Sequence, residues 1–478
     1  MSFSRSNYRI VGGRPAPAGT GRRWWRWPTA ALLAGAATSF APVALSSAGA
    51  TTAHHRHDGQ PAAILYVATT GHDSGSCTSL ASACASLGYA LTQAAPNDEI
   101  LLEPGTYTES ANANVVPPSL TGLTISSDPA HGGSATNTVI DATGDSNGLL
   151  VEANSVTVRG LTLENANLEG ILAEPPRSTW PSSATAPAAG ISHITIAGNV
   201  VEHNDKSYDT SLPPTAACPA SPTDADDCGE GIHLLGVSWS RVVGNDVRDN
   251  VGGILLSDGG LPPSPAGPPI SVGPTAHNLV AWNTVTDNAF DCGITLPGHD
   301  PRAVGVSGHP QPNLAGVYDN LVVHNVSIGN GGSGLLDATP YPGTGSYDNV
   351  FADNFASDNG NGGFTLHSHA PQQDVSGIQV IGNIFGPNNL AGDPDTGVTA
   401  STGVMLLSVA VPVRVDVSGN TVFSDVNGIA YNSNVTLEGH PYGLPRGHHH
   451  DRGGMPANRF FDVAVPYDVY VPPISPAS

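Results

Sequence analysis

One phrase constrains this chain more than any other feature: an asparagine followed five residues later by a second Asn or Asp. It occurs at Asn199 and Asn204, Asn245 and Asn250, Asn283 and Asn288, Asn325 and Asn330, Asn354 and Asn359, Asn383 and Asn388, and Asn420 and Asp425. After each comes a glycine leading an aliphatic triplet, as in Gly253-Ile254-Leu255-Leu256, and Gly148 and Gly170 open two earlier copies. Successive glycines lie 22, 61, 22, 40, 41, 29, 40 and 25 residues apart. The floor of 22 is one repeat, and the longer spacings are a repeat plus an insert. Within a repeat the apolar period is two over runs of three to five residues, which are strands too short for helices. Such strands have no partner inside their own repeat, so each must pair in parallel with its counterpart one repeat on, and stacking then buries a continuous core.

The pattern therefore predicts an all-β protein, a single-stranded right-handed parallel β-helix with long inserted loops. The asparagines are expected to be architectural. They suit positive-φ bends, and stacked at one level their amides can bond along the axis, giving a turn ladder of Asn199, Asn245, Asn283, Asn325, Asn354, Asn383 and Asn420. An open coil end exposes unpaired strand groups. Residues 85–95 read as a short amphipathic helix capping the N-terminal opening, and a final strand pair is expected within residues 458–471.

The domain reading follows: 1–50 a signal peptide, 51–63 a His-rich linker, 64–433 the β-helix, and 434–478 a C-terminal loop and capping segment. The first segment has a basic stretch ending at Arg26, a weakly apolar run from Ala30 to Leu45 broken by Pro42, and the A-x-A sequence Ala48-Gly49-Ala50. It is too short and interrupted for a membrane span. Paired Arg22 and Arg23 fit the twin-arginine route, while Trp25 and Arg26 fit its flanks poorly, so both export routes stay open. A secreted, extracellular protein is expected. The six arginines of that segment removed, eleven basic residues face forty acidic ones, a net charge of −29. That balance disfavours nucleic acid and anionic lipid surfaces as partners, while a polysaccharide or cell-wall glycan remains compatible. A monomer is expected.

Five cysteines in an oxidising compartment suggest two bridges, Cys77–Cys84 and Cys218–Cys228, with Cys292 left as a small buried residue. Asp224, Asp226, Asp227 and Glu230 are hard oxygen donors, candidates for Ca2+ without the spacing of an EF-hand loop. The His-rich tracts at 54–57 and 448–450 can bind soft metals but have no fixed geometry.

Counting from each coil glycine, positions +1 and +3 point inward and +2, +4 and +6 outward. The outward stripe then carries His233, Ser257, Thr295, His299, Thr365, His367 and His369. The candidate catalytic group is His299, Asp300, His367 and His369, with Asp337 beside it; an imidazole works as acid or base near neutral pH, and a carboxylate fixes its tautomer. His299 and His369 share the +6 level two coils apart, roughly 10 Å. Asp337 falls on an inward position, so either that strand shifts register or the carboxylate needs a partner. Outward apolar residues such as Leu172, Leu255 and Met405 require a cover, which the inserts are long enough to supply.

The opening from Tyr66 through the turn at Pro104-Gly105-Thr106-Tyr107, and the Asn and Gly-Ile repeats of 148–432, resemble secreted β-helix proteins of the pectin-lyase-like superfamily. The resemblance implies a polysaccharide lyase or related carbohydrate-active enzyme, but equally covers non-enzymatic binding or surface proteins and metal-binding proteins of the periplasmic copper-binding type. Its known catalytic patterns are absent: the outward stripe has no Arg or Lys base above an acidic calcium cluster, and no Asp-Pro-His motif occurs.

Overall fold

The computed structural model describes residues 62–108, 113–180, 189–204, 229–260, 270–305, 308–439 and 457–473. The expected signal and most of the expected linker, Cys218, Cys228, Asp224, Asp226, Asp227 and the His-rich tracts lie outside them.

Three long sheets account for nearly all strands, and every pairing within them is parallel. The first has twelve strands, from Ile64–Val67 to Val435–Glu438; the second has eleven, from Gly105–Thr108 to Arg459–Phe461; the third has eleven, from Val115–Val116 to Val465–Tyr470. Each turn of chain gives one strand to each sheet, as Arg241–Val243, Asp246–Arg248 and Gly252–Ser257 do, and each strand pairs with its equivalent one turn on. This is a parallel β-helix, with the right-handed sense that parallel crossovers take. The winding continues beyond residue 433: Val435–Glu438, Arg459–Phe461 and Val465–Tyr470 make one more full turn rather than only a strand pair.

The coil glycines sit where neighbouring turns touch. A Cβ on Gly253 would lie 2.1 Å from the Gly293 carbonyl oxygen and 2.4 Å from a Val285 methyl, so the contact admits no side chain. Inward positions behave as the period requires. Ile232, Ile254, Ile294, Leu335, Phe364, Val404 and Ile429, with Leu234, Leu256, Leu296, Leu366 and Leu406, lie in one core running along the coil.

The asparagines form ladders, but not through positive φ. The left-handed residue is the one before each Asn: Gly198, Gly244, Trp282, His324, Asp353, Gly382 and Gly419. The Asn itself turns its amide inward, where Nδ2 donates to Oδ1 of the next Asn at 2.9–3.1 Å through Asn199, Asn245, Asn283, Asn325, Asn354, Asn383, Asn420 and Asn458. A second ladder runs from Asn204 through Asn250, Asn288, Asn330 and Asn359 to Asn388, whose backbone N–H donates to Asp425. A third, which the repeat phrase does not reveal, links Asn278, Asn320 and Asn349.

The helix Leu87–Gln93 covers the N-terminal end with Leu87, Ala90 and Leu91 buried. Ser86 caps it by accepting the Tyr89 N–H. Cys77 and Cys84 are disulfide-bonded beside it, and Cys292 is a buried thiol.

Candidate functional site

The strand Phe364–Ser368 alternates, with Phe364 and Leu366 in the core and His367 on the opposite face. His369, two residues on, returns to that outer side, and the two imidazole rings lie 5.2 Å apart between centroids. Two carboxylates meet them from the insert that precedes Gly403. Asp393 Oδ2 is 2.9 Å from His367 Nε2, while Asp395 Oδ2 is 3.1 Å from His369 Nε2 and 3.7 Å from His367 Nδ1.

The insert is held in shape from within. Asn389 Nδ2 donates to the carbonyls of Val398 and Ala400, and Asp393 Oδ1 accepts the Asp395 N–H. Below it, Val398 packs on Met405, Ala430 and Tyr470, an apolar cluster outside the main core. The outward apolar stripe thus has the cover it requires at Met405, and Leu172 and Leu255 are buried as well.

Burial opposes charge on His367, but the field and hydrogen bond of Asp393, with Asp395 behind it, outweigh that cost and hold its pKa above the ordinary imidazole value. Burial likewise opposes charge on Asp393 and Asp395. His367 and the N–H groups of Asp395 and Thr396 lower Asp393, and His369 with His367 lowers Asp395. Both shifts favour the ionic form of the His367–Asp393 pair, beside a His369 side chain that keeps 24% of its surface open.

The remaining expected site residues have contacts of their own. Strand pairing ends at Pro297 with Ala338, two residues before His299. The His299 N–H donates to Asp258 of the preceding turn at 2.7 Å. Asp258 also accepts from Asp300 and Gly316. Its burial, with Asp300 nearby, pushes its pKa up to about 7. Asp300 takes a two-nitrogen contact from Arg302, with Nη2 at 2.9 Å. These three side chains shape the 298–316 insert. Asp337 keeps its register between Leu296 and Leu366, so it points into the coil. There Asn349, the last rung of the third ladder, donates to it at 3.0 Å, and burial pushes its carboxyl well above the usual range. Glu230 is buried in the strand Glu230–Leu235.

A separate polar cluster lies earlier on the same outer stripe. His233 Nε2 is 2.8 Å from Ser257 Oγ, and its Nδ1 is 3.5 Å from Glu169, all three buried.

Counting strand positions found His367 and His369. It missed Asp393 and Asp395, whose only signal was the length of the insert between Asn388 and Gly403 and its Asp-Pro-Asp sequence. Among the described residues, three groups bring His and carboxylate ligand atoms within 4.8 Å of one another: His367, His369 and Asp395; Glu103, Asp128 and His131; and Glu202, His203 and Asp249.

No family model matches the chain, and no curated protein is similar to it in sequence. Solved structures do share its winding. The A-module of a mannuronan C-5 epimerase from Azotobacter vinelandii is 14% identical with a TM-score of 0.44, over 80% of this chain and 91% of that one. An alginate lyase from a Paenibacillus species is 13% identical with a TM-score of 0.40, over 80% and 96%. A rhamnogalacturonan lyase is 12% identical with a TM-score of 0.39, over 85% and 86%. At these identities the likeness concerns fold alone. Among the described residues no helix is long and apolar enough to cross a membrane.

Proposed function

We propose that this is an exported protein acting on an extracellular polysaccharide, with the His367, His369, Asp393 and Asp395 cluster as its reaction centre. The observation that carries the reading is the pairing of two outward imidazoles with two carboxylates, one imidazole closed in, the other partly open to solvent. A lyase must remove a proton from a sugar carbon beside a carboxylate or ester. His369 is the reachable proton acceptor, Asp395 orients it, and the His367 cation offsets negative charge that develops on the substrate.

The test is ultraviolet absorbance during incubation with pectate, alginate and glycosaminoglycans, with and without calcium. An unsaturated product on one of them is expected. Silence on all of them removes the lyase reading.

Retention of glycan without turnover is the second reading, favoured by a different observation. Trp239 and Trp282 occupy positive-φ corners at opposite ends of successive first-sheet strands, and their side chains are 58% and 60% exposed. Trp239 stacks on His277 at 4.0 Å and Trp282 on His324 at 5.6 Å. A bulky residue is strained at such φ, and flat exposed rings suit sugar faces. Binding that survives His369→Gln but not Trp239→Ala with Trp282→Ala would support this reading.

A further inference from the structure

We infer that His367 Nδ1, His369 Nε2 and Asp395 Oδ2 form a site for one divalent transition-metal ion of the zinc type. Binding of the ion goes beyond the polysaccharide reading and does not depend on it.

The distances fit a metal site. Ligands at about 2.0–2.1 Å from a tetrahedral zinc ion stand about 3.3 Å from one another. Asp395 Oδ2 lies 3.1 Å from His369 Nε2 and 3.7 Å from His367 Nδ1, on either side of that edge length. His369 Nε2 is itself buried and faces Asp395 Oδ2 at 3.1 Å in poor hydrogen-bond geometry.

The surrounding residues supply what a metal site requires. A ligating imidazole usually gives its other ring N–H to a carboxylate, which fixes the tautomer and strengthens the ligand. His367 has that arrangement, since its Nε2 lies 2.9 Å from Asp393 Oδ2, and the ion takes the place of a proton on Nδ1. The positions are stiff: both histidines belong to one strand and the turn directly after it, and Asp395 is tied by its own N–H to Asp393.

The other two candidate groups offer one imidazole each. His131 is already hydrogen-bonded to Asp128 at 2.6 Å and is 43% exposed, and Glu202 is paired with Arg248. Two imidazoles and one carboxylate select zinc, cobalt, nickel or copper over calcium or magnesium, which take oxygen ligands. Three protein ligands leave a fourth position for water or a substrate oxygen.

A bound ion occupies the His369 lone pair, so metal and proton transfer are exclusive uses of one imidazole. Zinc is therefore expected to inhibit the polysaccharide activity. The inhibition, unlike the binding, rests on the polysaccharide reading.

The test is calorimetric titration of the chelator-stripped exported protein with Zn2+, with visible absorption of the Co2+ form read in parallel. The chain also carries histidines at 54–57 and 448–450, so all of these are first replaced by serine. We expect one tight equivalent, a tetrahedral or five-coordinate Co2+ spectrum, and no competition from Ca2+. His369→Ala and Asp395→Ala should each abolish the tight equivalent. Asp393→Asn should weaken it by about 10–100-fold while keeping the spectrum. Circular dichroism and thermal melting show whether each variant is folded, and His369→Gln serves as the replacement if His369→Ala is not. Zinc binding by folded His369 and Asp395 variants as tight as in the parent overturns the site, as does a parent with no tight equivalent. Tight zinc without polysaccharide turnover upholds the site and removes the polysaccharide reading. Turnover without zinc binding does the reverse.

Discussion

At the scale of single residues, the amides inside the coil show how much one side chain carries. Asn325 donates to the carbonyl of Val280 at 2.9 Å and to Asn354 Oδ1 at 3.0 Å, and accepts from both the backbone and the side-chain nitrogen of Asn283. All of these groups are buried, so Asn325→Ala leaves several without partners. Each orphan costs about 1–3 kcal/mol. A loss of about 3 kcal/mol or more is expected, read as a lower midpoint in urea unfolding; a midpoint unchanged from the parent would contradict the ladder. The asparagine repeat was plain in the sequence because every turn repeats the same demand. The backbone device was not, because the positive-φ duty falls on the residue before, where Gly, Asp, His and even Trp282 alternate without a common letter. Asp337 is similar: its inward position was countable, but its partner Asn349 belongs to a ladder that the repeat phrase does not include.

At the scale of the elements, the end of the second ladder is a point of stored instability. Asp425 stands where the other turns place Asn, and it accepts the Asn388 N–H at 2.9 Å while its Oδ2 is buried without a partner. Burial raises its pKa to about 7, against an unfolded value near 4. The folded state therefore holds a proton that the unfolded state has released between about pH 4 and 7, so this residue makes the protein less stable as pH rises through that window. Asp425→Asn removes the titration and supplies an amide donor. It should gain about 1–2 kcal/mol at pH 8 and little at pH 4, measured as thermal midpoints of both proteins across the range. A gain that is the same at both pH values would contradict this account. The strands and their facing were legible for a simple reason: period two fixes which side chains share a face. The inserts were not, since nothing periodic governs a loop that folds back over an outer sheet. Asp393 and Asp395 were invisible for that reason, and His299 lies two residues past the end of strand pairing at Pro297.

At the scale of the whole coil, stability is a sum of neighbouring turns, and the ends decide whether it stays apart from its copies. The helix Leu87–Gln93 buries Leu87 and Leu91 over the first turn. Replacing both with aspartate should expose that edge and produce concentration-dependent association in sedimentation, with the far-ultraviolet β signature retained. A variant that stays monomeric at all concentrations would show that the cap has no such role. The central claim concerns the outer face of the third sheet, where two histidines two residues apart meet an acidic insert. The most direct measurement is product formation on the best polysaccharide substrate by the parent and by His369→Gln, matched for folding by circular dichroism. The account predicts turnover in the parent and a loss of at least about 100-fold in the variant, the scale of a general base. Equal turnover in the two proteins would contradict it.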